Sequence, residues 1–280
     1  MHSITLFNNL GYVSNNLNIS FMKEGVDNTS KHDAPAEEKR CDVTCYSNFD
    51  LIKSSYNFES NGFEYFRLDG DLLDRVNFFE KYPNEERAEM SLLKEGVKYM
   101  SLWGKKKLPG CNIVVPLDIL YRDNSPFNST SEKPFFLAHV DFDKENLQNN
   151  MKILKGLWKP YIETALGDLS DEQYFDLKIV QIVNIWLSLD RGKVNNTLAL
   201  LDTSSIDLQK DLRPLKNNKL NSISISQNPK QNWVALQGMT MGQGIIFNSF
   251  ITPHTAIELP RDSNAKFYRK SVELRFAFLS

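Results

Sequence analysis

The residues with the most chemical potential are His139 and Asp141, two apart, and His254 far downstream. Side chains at i and i+2 of a β-strand leave the same face. If residues 134–143 are a strand, His139 and Asp141 converge on one point while Val140 turns away. A second imidazole there makes two histidines and one carboxylate, a donor set that grips a divalent first-row metal on one face and leaves the opposite positions open. The chain has four histidines, and His2 and His32 lie in a polar N-terminal stretch, so His254 is the partner that the set needs. Each piece also has a plainer reading. A buried histidine often just satisfies a core hydrogen bond, and Thr252-Pro253-His254-Thr255 fits a surface turn. Only a fold that lays distant strands side by side joins the two.

A second constellation lies in Tyr268-Arg269-Lys270-Ser271-Val272-Glu273-Leu274-Arg275-Phe276-Ala277-Phe278. On a strand, Arg269, Ser271, Glu273 and Arg275 share one face and Val272, Leu274, Phe276 and Phe278 the other. A guanidinium is a planar fork that matches a carboxylate. Arg269 with Ser271 offers several donors to the far carboxylate of a ligand that chelates a metal through its other end. Arg275 could pair with Glu273, bind a carboxylate of that ligand, or face an acidic substrate. The plainer reading is an exposed strand with an Arg–Glu ladder.

These residues need elements to position them. Residues 1–20 fit a short strand or arm, and Lys23 to Arg40 read as a loop or mobile segment because large apolar side chains are almost absent. Residues 41–69 alternate like strands. Asp69-Gly70-Asp71 opens a helix carrying Leu72, Leu73, Val76 and Phe79, which Tyr82-Pro83 ends. A second helix starts near Glu85 with Met90, Leu92, Leu93, Val97 and Met100 on one stripe. After Gly110 the character changes to short apolar runs: 112–122, the run holding His139, 177–189, 197–202, 233–236, 244–248 and 267–279. A helix or insertion is expected around 144–165, and 203–230 reads as polar loop. Many short strands without alternating helices predict a mainly β fold with flanking α-helices, a double-stranded β-helix of the jelly-roll or cupin kind. The expected organisation is one compact domain, with 1–110 an N-terminal extension and helices packed on the barrel and 111–280 the catalytic core.

Composition narrows the partners. Lys and Arg number 33 against 35 Asp and Glu, with no basic run that would mark nucleic acid or an anionic membrane. No apolar run approaches the roughly 20 residues of a membrane helix. The start of the chain lacks the pattern of a secretory signal, and three cysteines, Cys41, Cys45 and Cys111, are a poor disulfide framework. A cytoplasmic protein, monomer or homodimer, is expected.

With these motifs set in order, the chain resembles the iron- and 2-oxoglutarate-dependent oxygenase superfamily, and more narrowly the cephamycin-methoxylase-like and AsaB-like hydroxylase/desaturase family. The matching pieces are Asn61-Gly62-Phe63-Glu64 before an acidic helix and Tyr82-Pro83, Ala138-His139-Val140-Asp141-Phe142, Val183-Asn184-Ile185-Trp186-Leu187, Leu198-Ala199-Leu200-Leu201-Asp202-Thr203-Ser204, Thr252-Pro253-His254-Thr255-Ala256 and Arg269–Arg275. Leu187-Ser188 departs from the family's Arg-Pro, and 203–232 lacks its tryptophan and tyrosine run. The resemblance implies Fe(II) on His139, Asp141 and His254, with 2-oxoglutarate anchored by Arg269 and Ser271. Arg275 and Asn184 are further co-substrate candidates, and Trp186, Arg122 and Tyr121 would line the cavity. It implies O2 as oxidant, ascorbate as an assay additive, and oxidation of a C–H bond of a small molecule: hydroxylation first, desaturation as the variant, on an amino acid or natural-product intermediate. Asp141 argues against the halogenating branch, which leaves that position to halide. The same ligands also suit a non-oxidative cupin-type isomerase or hydrolase with Zn(II), and a barrel kept only for binding is the third reading.

Overall fold

The structure, a computed structural model, describes residues 12–23, 35–111, 113–123, 125, 132–149, 163, 170, 178–192, 194, 196–214, 222–259 and 268–280. The apolar runs form strands of two sheets. The five-stranded sheet has the order β3 (Phe63–Arg67), β11 (Gln243–Asn248), β6 (Ile179–Ser188), β13 (Lys270–Leu279), β4 (Ile113–Asp123). The eight-stranded sheet has the order β1 (Tyr12–Met22), β2 (Ala36–Tyr46), β10 (Trp233–Leu236), β7 (Asn196–Leu201), β12 (His254–Glu258), β5 (His139–Val140), β9 (Ile223–Ile225), β8 (Leu212–Pro214). Neighbours are antiparallel except β10 and β2. The two sheets make the jelly roll that the strand pattern called for.

Three apolar layers hold it. The outer face of the five-stranded sheet presents Val272, Leu274, Phe276 and Phe278 to α3 (Gly70–Lys81) and α4 (Glu86–Lys107), where Val76, Phe79, Leu92, Met100 and Trp103 are buried against them. α4 comes close because Gly96 lies on the contact; a Cβ there would stand 2.7 Å from the Phe276 ring. Between the sheets, Tyr65, Ile245, Phe247 and Trp186 meet Leu198, Leu200, Val234 and Leu236. On the far face of the eight-stranded sheet, Ile19, Phe21, Cys41, Val43 and Cys45 pack with Trp233, Ala235, Leu201 and Ile257. That sheet curls on itself, so that β1 bridges the chain just before β5: Ser20 pairs with Leu137, and the Ala138 N–H donates to the Ser20 carbonyl at 2.8 Å. No described helix is long and apolar enough to cross a membrane.

Several expectations change. Residues 1–110 supply β1, β2 and β3 to the two sheets as well as helices. Ala36–Arg40, read as loop, belongs to β2; its Glu37, Glu38 and Lys39 point to water in a two-stranded ribbon, so no apolar alternation marks them. The strand-like 41–69 contains α1 (Phe49–Ser55) and α2 (Phe58–Asn61), each started by an asparagine, Asn48 and Asn57, whose side chain accepts from backbone N–H groups of the first turn. The polar 203–230 contains β8 and β9. The expected strand over 134–143 shrinks to β5, because its flanks bond elsewhere: the Ala138 N–H donates to the Ser20 carbonyl and the Phe142 N–H to the Ser249 carbonyl. Of the helix expected at 144–165, α5 (Lys144–Asn149) is described; most of the remainder lies outside the described residues, as do His2 and His32.

Candidate metal centre

The sheet order brings β12 beside β5, and His254 stands directly opposite His139 across the antiparallel pair. Asp141 follows at the end of β5. One ligand atom from each of the three lies within 4.8 Å of the others, and all three side chains are buried. Each imidazole Nδ1 faces the carbonyl two residues earlier, His139 to Leu137 at 2.8 Å and His254 to Thr252 at 3.2 Å. A carbonyl can only accept, so the proton sits on Nδ1 and Nε2 carries the lone pair that a metal takes. These Nε2 atoms lie 3.5 Å and 3.7 Å from the two Asp141 oxygens. The Phe135 ring meets His139 edge-on at 4.9 Å, and the Phe247 ring lies 4.7 Å from His254, so apolar surface flanks both ligands.

Asp141 is itself held. Asn184 Nδ2 donates to its Oδ2 at 2.7 Å, and Arg275 Nη2 donates to its Oδ1 at 3.3 Å. Asn184 also donates to Glu273 at 2.9 Å and accepts from the Ser249 hydroxyl at 2.7 Å. Arg275 pairs with Glu273 at 2.8 Å and Asp118 at 3.0 Å. Burial pushes the Asp118 carboxyl up, against the pull of Arg275. Arg275 and Asn184 are thus both engaged with Asp141 and Glu273.

Arg269 and Ser271 lie at the other end of the same face. Arg269 is 2% exposed, and its Nε, its Nη1 and the Ser271 hydroxyl make no hydrogen bond among the described residues. Its guanidinium sits 5.3 Å over the Trp186 ring. Burial, and then Arg122, push its pKa down to about 9. A guanidinium holds its proton under such pressure, and Asp190 and Glu273 pull the other way. Arg122 stands opposite Ser271 on β4 but is engaged by Glu132 at 3.0 Å and the Lys133 carbonyl at 2.7 Å. Tyr121 is not in the interior. Strand alternation turns it to the helices, where it meets Phe79 at 5.8 Å and donates to Asp123.

Asp118 was not singled out from sequence. Its signal is Pro116: β4 slips by one residue against β13 there, Arg275 facing Asp118 and Phe276 facing Pro116. A proline in a strand marks such a bulge, and bulges re-aim side chains.

The protein-family model described as "Oxidoreductase/YMDC permease-like domain" matches residues 14–279. Among solved structures, the "iron and alpha-ketoglutarate-dependent endoperoxidase NvfI" is similar at a TM-score of 0.66 and 14% identity, covering 96% of this chain and 98% of that one. A tryptophan-to-phenylalanine variant of that enzyme is similar at a TM-score of 0.65 and 15% identity over 96% and 98%. No curated protein sequence matches the chain significantly. At these identities the structural likeness is one of fold. The family match runs from β1 to the end of β13 and takes in the whole His139–Asp141–His254 site, and on that ground the chain belongs to the Oxidoreductase/YMDC permease-like domain family.

Proposed function

We propose that the protein is a non-haem Fe(II)/2-oxoglutarate-dependent oxygenase that oxidises a C–H bond of a small molecule, by hydroxylation or by the desaturation that shares its first step. The observation that carries this reading is the pair of sites on one interior: a buried His/Asp/His set with both Nε2 atoms turned to the Asp141 carboxylate, and a buried Arg269–Ser271 pair with unused donors. A zinc hydrolase needs the first and has no use for the second. The residues fit the group they would hold. His139, Asp141 and His254 offer the N/O donors that iron takes. The formal charge of Asp118, Asp141, Glu273 and Arg275 together is that of two uncompensated anions, which a divalent cation cancels. Arg269 and Ser271 would take the far carboxylate of 2-oxoglutarate. When bound, iron with 2-oxoglutarate and O2 supplies an oxidant able to take hydrogen from a C–H bond, with succinate and CO2 as coproducts.

The chain's own part is placement and exclusion of water. The Leu137 and Thr252 carbonyls orient the imidazoles. Trp186 covers the Arg269 guanidinium, and Phe135 and Phe247 wall the ligands. Among the described residues, Asn184, Arg122 and Arg275 are each engaged within the protein, which favours a natural-product intermediate without an acidic group over a free amino acid. The test is anaerobic addition of Fe(II) and 2-oxoglutarate. A weak visible charge-transfer band is expected in the wild type and its loss in His139→Ala. No band, together with no O2-dependent succinate across a substrate panel, would sink the reading, and zinc retained through purification with no stabilisation by 2-oxoglutarate would favour the hydrolase instead.

A further inference from the structure

Asp141 differs from the two histidines in how it is supported. Each histidine leans on one backbone carbonyl close in sequence. Asp141 leans on side chains from other strands, and both of its oxygens have a donor: Asn184 of β6 on Oδ2 and Arg275 of β13 on Oδ1. Those donors are held in turn. The two hydrogens of the Asn184 amide serve Asp141 and Glu273, whose carboxylates can only accept and so fix which end of the amide is nitrogen, while its oxygen accepts from the Ser249 hydroxyl. Arg275 Nη2 lies between Asp141 and Glu273, and Nη1 is tied to Asp118 of β4 at 3.0 Å. Arg275 and Asn184 are cross-strand neighbours, as are Arg275 and Asp118. One row of the sheet, Asn184–Arg275–Asp118, therefore ends on the metal ligand.

We infer that Arg275 and Asn184 are positioning residues that set the plane of the Asp141 carboxylate for metal binding, with Glu273 and Asp118 anchoring the guanidinium. This rests on the reading of His139, Asp141 and His254 as a metal site. Geometry and charge predict opposite signs here. Removing a cation beside a carboxylate should tighten metal binding by Coulomb attraction alone. Losing the carboxylate's orientation should weaken it, by about 10–100-fold for groups that support a ligand.

The experiment is titration of the metal-stripped full chain with Co(II), read by its visible absorption, whose band shape reports ligand geometry. Thermal unfolding in chelator checks the fold of each variant. Arg275→Met is expected to raise the Co(II) Kd by about 10–100-fold and to change the band shape. Arg275→Lys keeps the charge without the fork and should recover part of the affinity. Asn184→Ala should weaken binding in the same direction, and Asp118→Asn, which reaches Asp141 only through Arg275, less. If Arg275→Met does not fold, Arg275→Lys and Asn184→Ala decide. Variants that bind Co(II) as tightly as the wild type, or more tightly, with an unchanged band overturn the inference. A wild type that binds no Co(II) overturns the metal-site reading itself, and this inference with it.

Discussion

Two arginines on one strand face do different work because of their neighbours. Arg275 sits among Asp118, Asp141 and Glu273. Burial pulls its pKa down, but Asp141, Glu273 and Asp118 outweigh that and raise it, so the guanidinium stays charged. Arg269 has no ion pair of comparable length among the described residues and an indole face beneath it. A buried cation with unused donors is costly unless an anion completes it. Arg269→Lys should therefore weaken 2-oxoglutarate binding by about 10-fold or more, since a charge-assisted bond contributes about 1.5–3 kcal/mol and an ammonium cannot replace a fork. Isothermal titration with metal present measures this, and Co(II) affinity should not change. Equal 2-oxoglutarate affinity in the variant would remove Arg269 from the site.

At the scale of elements, the turn before β12 decides where His254 points, and it is braced by residue 62. Gly62 has φ +81°, closes α2, and accepts from the Thr252 hydroxyl at 2.8 Å and the Asn248 N–H at 2.9 Å. A Cβ at Gly62 would stand 2.5 Å from the Thr252 hydroxyl, and the Thr252 carbonyl is the partner of His254 Nδ1. Gly62→Ala thus combines a left-handed backbone with a clash, a loss of about 1–3 kcal/mol. A lowered midpoint in urea and weaker Co(II) binding are expected together. A lowered midpoint with unchanged metal affinity would show that the brace serves the fold alone. The helix layer makes a contrasting case: Phe276→Ala, beneath α4, should cost about 3–5 kcal/mol in denaturant unfolding. Any folded fraction should still bind metal, because Phe276 lies on the opposite face from Arg275.

For the whole molecule, metal binding is expected to stabilise the native state, because the unfolded chain scatters His139, Asp141 and His254. At 100 times Kd a ligand adds about 2.7 kcal/mol, a rise of roughly 5 °C in Tm for a chain of this size. A differential scan with and without Co(II) tests it, and a midpoint unmoved by saturating metal would argue against a preformed site.

Much of this architecture was legible in the residues. Period-2 and period-3.6 patterns are local, so β4, β6, β7, β10, β11, β13, α3 and α4 could be read from the chain. The scarcity of histidine narrowed the metal partners to His139 and His254. What sequence could not show is what depends on which strands become neighbours. The outer end of β2, Ala36–Arg40, has no apolar period, since its side chains lie exposed or half-buried in the ribbon with β1. β5 is too short to be read as anything but part of a longer run. The division of labour between Arg269 and Arg275 is invisible along a strand where both alternate alike. It is decided by β6 and β4 on either side, which bring Asn184 and Asp118 to Arg275 and Trp186 to Arg269. Local chemistry supplied the ligands, and tertiary pairing decided which charges meet, because Coulomb and hydrogen-bond energies depend on distance in space and not along the chain.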